Sequence, residues 1–188
     1  MSLLELVAVA FGIAGVWLTV RQNPWCWPLG MVNVSLFAVL FWGERLYADA
    51  GLQVVYLAVC AYGWWAWLRG GPGHGALAVS RAPRLAAWIL GAAAAVLAVL
   101  LGTTLKRATD ADLPFWDAGT TAFSLAAQWM QARKWLENWL VWIVVDVVYV
   151  GVYLAKGLVP TALLYAGFIV LAIVGWRSWS RELGAAAR

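Results

Sequence analysis

The sequence predicts an all-α membrane protein of seven transmembrane helices, arranged as three helices, one connecting helix and three more. Three observations carry that expectation. Of 188 residues, 64% are hydrophobic and only 12% are charged, about half the charge that a water-soluble domain carries. Seven apolar runs approach the ~20 residues a helix needs to cross a bilayer. A shift of the sequence by 112 positions superposes four tryptophans and a glycine in one ungapped register.

The first segment, Leu3–Val20, is apolar apart from Glu5. It has no basic start and no small-residue cleavage site, so it is expected to be kept as a helix rather than removed as a leader. The second, Trp25–Trp42, opens between Pro24 and Pro28, with Gly30 two residues on. Proline there starts a helix or bends it, so Pro24, Pro28 and Gly30 are candidates for either a plain helix start or a gate hinge. The third, Tyr47–Leu68, carries Asp49, Gln53 and Tyr56 at helical-face spacing. The fourth, Leu85–Leu105, is almost pure Ala, Leu and Val. It lies between the Gly- and Pro-rich stretch Arg69–Arg84 and the break Lys106–Asp112.

The fifth segment, Leu113–Met130, is the most polar, with Asp117, Thr121, Ser124 and Gln128 spaced 4, 3 and 4. The sixth, Trp135–Leu154, places Trp135, Trp139, Trp142, Asp146, Tyr149 and Tyr153 on one face, with Asn138 beside them. The seventh is Leu158–Trp176. The expected organisation is a first triple over 1–68, a linker and connecting helix over 69–112, a second triple over 113–179 and a cytoplasmic tail over 180–188.

Under the 112-residue shift, Trp17 falls on Trp129, Trp27 on Trp139, Gly63 on Gly175, Trp64 on Trp176 and Trp67 on Trp179. An even number of helices separates the two triples' starts, so both enter the membrane the same way. This is the parallel duplication known among carriers. Of 13 Lys and Arg residues, nine (Arg21, Arg69, Arg81, Arg84, Arg133, Lys134, Arg177, Arg181, Arg188) fall on one side. The positive-inside rule makes that side cytoplasmic, with the N-terminus outside.

Polar residues at membrane depth are costly and point to function. Asn33 on the second helix and Tyr165 on the seventh extend the polar and aromatic stripes. Each stripe is readable as interhelical bonding. Together they describe a passage walled by amides, hydroxyls and aromatic faces. Such a wall suits a flat, neutral or cationic ring bearing hydroxyls, and it holds phosphate poorly without a fixed base. Cys26, Cys60 and the single His74 make no metal or disulfide framework, and no cofactor is implied. Scattered basic residues argue against nucleic acid. An intramembrane enzyme is the competing class, and it would need Asp117 and Asp146 facing each other. A purely structural subunit leaves the polar stripes unexplained.

Several runs resemble the Pnu vitamin transporter family. They are Trp27-Pro28-Leu29-Gly30 with Asn33; Tyr47-Ala48-Asp49 with Leu52-Gln53 and Tyr56; Tyr62-Gly63-Trp64; Glu137-Asn138-Trp139 with Trp142 and Asp146; and Thr161-Ala162 with Tyr165 and Gly175. The resemblance covers most of the chain outside the linker helix. It implies a SWEET-like 3+1+3 fold, a homotrimer in a bacterial inner membrane, and facilitated diffusion trapped by a cytoplasmic kinase. The implied substrate is nicotinamide riboside, with thiamine or riboflavin as alternatives. It places Gln53, Asn138, Trp139, Trp142 and Asp146 nearest the substrate, with Asn33, Tyr56, Tyr149 and Tyr165 behind them.

Overall fold

A computed structural model describes residues 3–43, 47–109 and 113–186. Asp112 and Arg188, and the side chains of Glu5, Tyr47, Ala48 and Asp49, all named in the sequence analysis, lie outside the described residues. Among those described, seven α-helices are present: α1 Leu3–Val20, α2 Cys26–Gly43, α3 Tyr47–Arg69, α4 Arg84–Ala108, α5 Pro114–Ala132, α6 Asn138–Ala155 and α7 Val159–Ala186. Four are long and apolar enough to cross a membrane, over Ala50–Arg69, Arg84–Ala108, Asn138–Ala155 and Val159–Ala185. Val9–Val20 and Cys26–Leu40 are shorter apolar helices. The chain divides into two compact units, Met1–Val79 with Ala132–Lys134, and Ser80–Gln131 with Trp135–Arg188.

In the first unit, α1 ends in a Schellman-type turn: Gln22 N–H bonds Thr19 O and Asn23 N–H bonds Leu18 O. Gln22 sits at φ 54, where glycine is usual. Asn23 Oδ1 then accepts the Trp25 N–H at 3.0 Å, which turns the chain into α2. Pro28 is the third residue of α2, where the backbone N–H has no intrahelical partner to lose. It therefore starts the helix and does not kink it. The α2–α3 contact is set by size. A Cβ on Gly63 would come 2.5 Å from the Trp27 ring, and Trp67 meets that ring edge-on at 5.4 Å and 88°. Both indoles are fully buried.

The second unit repeats this contact. A Cβ on Gly175 would come 2.5 Å from Trp139, and Trp179 meets Trp139 edge-on at 5.3 Å and 81°. The chain leads into α6 by the bonds that lead into α2: Trp135 N–H to Met130 O, Asn138 N–H to Trp135 O and Trp139 N–H to Leu136 O. Lys134, 112 residues after Gln22, sits at φ 50. On the other side of the unit, α4 and α5 approach through Ala94, Ala122 and Ala126, flanked by Leu90 and Leu97. Small side chains let helix backbones close together in lipid.

Two expectations are corrected. The helix expected from Trp135 begins at Asn138. Trp135 instead bridges to Ser80, and Leu136 N–H donates to Ser80 O at 2.8 Å. The seventh helix, expected to end at Trp176, runs on to Ala186.

Glu137 fastens the linker. Its Oε2 accepts the Ala82 N–H at 2.8 Å, and its Oε1 lies 3.6 Å from Arg81. The Arg81 side chain is 69% exposed, so that ion pair is worth little in water. The charge-assisted bond to the amide is worth about 1.5–2 kcal/mol. Glu137→Ala is therefore expected to lower thermal stability and speed proteolysis of the linker, while Arg81→Ala leaves both nearly unchanged. Equal effects of the two, measured by thermal shift and limited trypsin digestion, would contradict this division.

Candidate functional site

The sequence-predicted residues fall into two groups. Asn33, Gln53 and Tyr56 belong to the first unit, half-buried on α2 and α3. The second unit gathers the rest on α5, α6 and α7. Tyr149, Tyr153 and Tyr165 form a three-ring cluster. The ring centroids are 5.8 Å apart for Tyr149–Tyr153, 4.6 Å for Tyr149–Tyr165 and 5.2 Å for Tyr153–Tyr165. Phe168 closes it edge-on against Tyr165 at 5.7 Å and 89°. Tyr149 and Tyr153 share a face because they are four residues apart on α6. Tyr165 and Phe168 do so three apart on α7.

Polar groups border these rings. Thr120 and Ser124 are the buried hydroxyl residues of α5 in the same unit. Thr120 Oγ1 itself donates to the Trp116 and Asp117 carbonyls at 3.0 Å. Asp146, one turn before Tyr149, is 5% exposed. Among the described residues Asp146 makes no hydrogen bond or ion pair. A buried acid at membrane depth is costly.

The remaining positions divide. Trp142 is half-buried and donates its Nε1–H to Gln131 Oε1 at 3.1 Å. Asn138 is fully buried. Its Nδ2 donates to Trp135 O at 2.7 Å, while its Oδ1 has no partner among the described residues. Trp139, expected to stack on a solute, is placed differently. It is buried between α6 and α7 against Gly175 and Trp179, and both tryptophans of this motif are consumed by helix packing. Gly30 has ordinary space, with Cys60 Sγ 3.5 Å from where its Cβ would be. No group of three or more metal-ligating side chains occurs among the described residues.

Three participants escaped the sequence reading. Thr120, not Thr121, is the buried threonine of α5, because the stripe on α5 is wider than a strict 4-3-4 spacing. Tyr153 was placed on the helical face yet not among the binding residues. Lys134 was counted only as a cytoplasmic charge. It is 6% exposed, its Nζ donates to Gln22 Oε1 at 3.0 Å, and it lies 4.5 Å over the Trp67 ring. The available signal was its equivalence to Gln22 under the 112-residue shift.

Known proteins share this architecture along the whole chain. The family model described as "Nicotinamide mononucleotide transporter" matches residues 2–181. The nicotinamide riboside transporter PnuC of Escherichia coli (strain K12) is 28% identical over 218 residues, covering 100% of this chain and 90% of that protein. The riboflavin/roseoflavin transporter RibM of Streptomyces davaonensis is 30% identical over 182 residues, covering 93% of this chain and 83% of its own length. A crystal structure of the vitamin B3 transporter PnuC has the same fold, with a TM-score of 0.74 at 22% identity over 97% of this chain and 82% of that one. These relatives are transporters and not enzymes. With its apolar spans and a family match over nearly all of its length, this chain belongs to the nicotinamide mononucleotide transporter family of multi-pass membrane transporters.

Proposed function

We propose that this transporter passes nicotinamide riboside across the membrane by facilitated diffusion. One observation carries the reading. The tyrosine cluster of α6 and α7 follows Asp146 by one turn on the same face of α6, Asp117 begins the polar stripe of α5, and no described member of the group is basic. A pyridinium riboside is a flat cation with hydroxyls, and aromatic faces with acids nearby attract such a ring. The phosphorylated mononucleotide brings negative charge, which the same acids repel. Asn33, Gln53 and Tyr56 are proposed to supply amide and hydroxyl contacts to carboxamide and ribose. Trp142 and Asn138 are proposed to do the same from α6.

A second reading is riboflavin transport, favoured by the 30% identity to RibM. Its isoalloxazine is neutral and uses the aromatic faces without the acids. Thiamine, a flat cation, is the third candidate. Uptake into proteoliposomes tests all three together. Labelled nicotinamide riboside is expected to enter without any sodium, proton or ATP supply, and to be competed weakly by the mononucleotide. A requirement for an ion gradient would reject the facilitator mechanism, and stronger competition by riboflavin would replace the substrate.

The 3+1+3 parallel duplication belongs to the same proposal. The matched Trp27–Gly63 and Trp139–Gly175 contacts support it, as do the paired positive-φ positions Gln22 and Lys134. A cytoplasmic C-terminus rests on the nine-to-four distribution of Lys and Arg. Assembly as a homotrimer and trapping by a cytoplasmic kinase rest on the family resemblance. With no energy source of its own, a facilitator accumulates solute only when a later reaction consumes it.

A further inference from the structure

The tyrosine trio differs in geometry from the aromatic pairs that hold helices together. Trp27 with Trp67 and Trp139 with Trp179 meet edge-on, at 88° and 81°. Trp27 and Trp139 are each seated against a glycine as well. The tyrosine planes lie much nearer parallel. They are inclined by 19° for Tyr149–Tyr153, 25° for Tyr153–Tyr165 and 38° for Tyr149–Tyr165. Edge-on rings interlock. Near-parallel rings present faces, and a face covered by one flat ring suits another.

Tyr153 stands nearest the helix end. It lies in the last turn of α6, which closes in a Schellman turn. Gly157, at φ 71, donates its N–H to Leu154 O, and Leu158 N–H donates to Tyr153 O at 2.8 Å. That bond fixes the Tyr153 backbone and leaves its side chain free to change rotamer. The residues that follow, Leu154 to Leu158, are all exposed. Asp146 is seven residues earlier on the same face, about two turns or roughly 10 Å along the axis. Under the 112-residue shift Tyr149 and Tyr153 fall on Phe37 and Phe41. The ring recurs there without its hydroxyl, so the flat face is the shared feature.

We infer that Tyr153 is a specificity-determining lid for flat solutes: stacked on Tyr165, it covers the aromatic face that a solute ring takes, and the solute binds by displacing it. The inference rests on the proposed orientation, which makes this the outer end, and on the proposed passage of a flat ring toward Asp146. A solute coming from that end meets Tyr153 before Tyr149 and Asp146. A ring that stacks on Tyr165 replaces the contact that Tyr153 gives up. A solute without a flat ring replaces nothing, and the self-stack stands against it. Affinity is lowered for every solute and selectivity for planar ones is raised.

Nicotinamide riboside is titrated calorimetrically into the full protein in a fixed detergent. Tyr153→Ala uncovers the Tyr165 face and is expected to lower the Kd roughly two- to tenfold, the worth of one aromatic pair. Tyr153→Phe keeps the covering ring and should bind as the native protein does. Tyr165→Ala removes the face itself and should raise the Kd by a similar factor. Tyr153→Leu keeps apolar bulk without a flat face. It should also bind more tightly, and it serves if the alanine protein does not fold. A Kd that rises in Tyr153→Ala and Tyr153→Leu would make Tyr153 part of the binding wall, and an unchanged Kd would make it helix packing alone. Either result overturns the inference. A native protein that does not bind nicotinamide riboside rejects the substrate reading instead. The same variants are then titrated with riboflavin, whose flat ring makes the same exchange with the same expected order.

Discussion

Gly63→Ala and Gly175→Ala are each expected to destabilise the protein by about 2–3 kcal/mol, lowering the melting temperature by roughly 5–10 °C. Each added Cβ would sit 2.5 Å from a buried indole, Trp27 or Trp139, a separation that real atoms do not tolerate. Neither indole has room to retreat, since each is also held edge-on by a second tryptophan. Gly15 and Gly151, with nothing within 4 Å, serve as controls, where alanine should be neutral or mildly stabilising through its helix propensity. Pairing Gly63→Ala with Trp27→Phe should recover part of the loss, because the smaller ring returns the space. Thermal shift in a fixed detergent checks all of these. If the Gly63 and Gly175 variants melt with their controls, the close α2–α3 and α6–α7 approach is wrong.

Asp146→Asn is expected to raise the KM for nicotinamide riboside at least tenfold, which corresponds to about 1.4 kcal/mol of lost attraction for a cation. Uptake of neutral riboflavin, if measurable, should change little. The variant should also melt no lower than the native protein. Asp146 is buried without a hydrogen-bond or ion-pair partner among the described residues, and replacing a buried charge by an isosteric amide relieves a desolvation cost. A structural acid gives the opposite pattern, a lower melting temperature with an unchanged KM. The two readouts together therefore separate a substrate-facing carboxylate from one that holds helices together.

The helices were legible because the bilayer imposes a length on each apolar run. Expected and observed segments agree within a few residues for the first six. The misplacements have local causes. Trp135 is apolar and was counted into a helix, but it follows the left-handed Lys134 and pairs with Ser80, a contact 55 residues away in the chain that no periodicity encodes. The surroundings of Trp139 likewise depend on a neighbouring helix. Its spacing on α6 is that of the pathway stripe, yet the absence of a side chain at Gly175 draws it into the α6–α7 contact. Conversely, the tyrosine cluster needed α6 and α7 packed together before Tyr165 could be seen to complete it.

By itself the sequence determined a membrane protein of apolar helices, the positions of its breaks, the recurrence at 112 residues and the acids and aromatic rings that any transport reading must use. Those follow from composition and period, which hydrophobic solvation reads directly. Only the tertiary structure decided which tryptophans serve packing, which threonine of α5 is buried, and that Lys134 is buried against Gln22 and Trp67. Helical spacing fixes the direction in which a side chain leaves its own helix. What stands opposite depends on neighbouring helices, and their approach is set by single glycines and alanines that carry no signal in a hydropathy pattern.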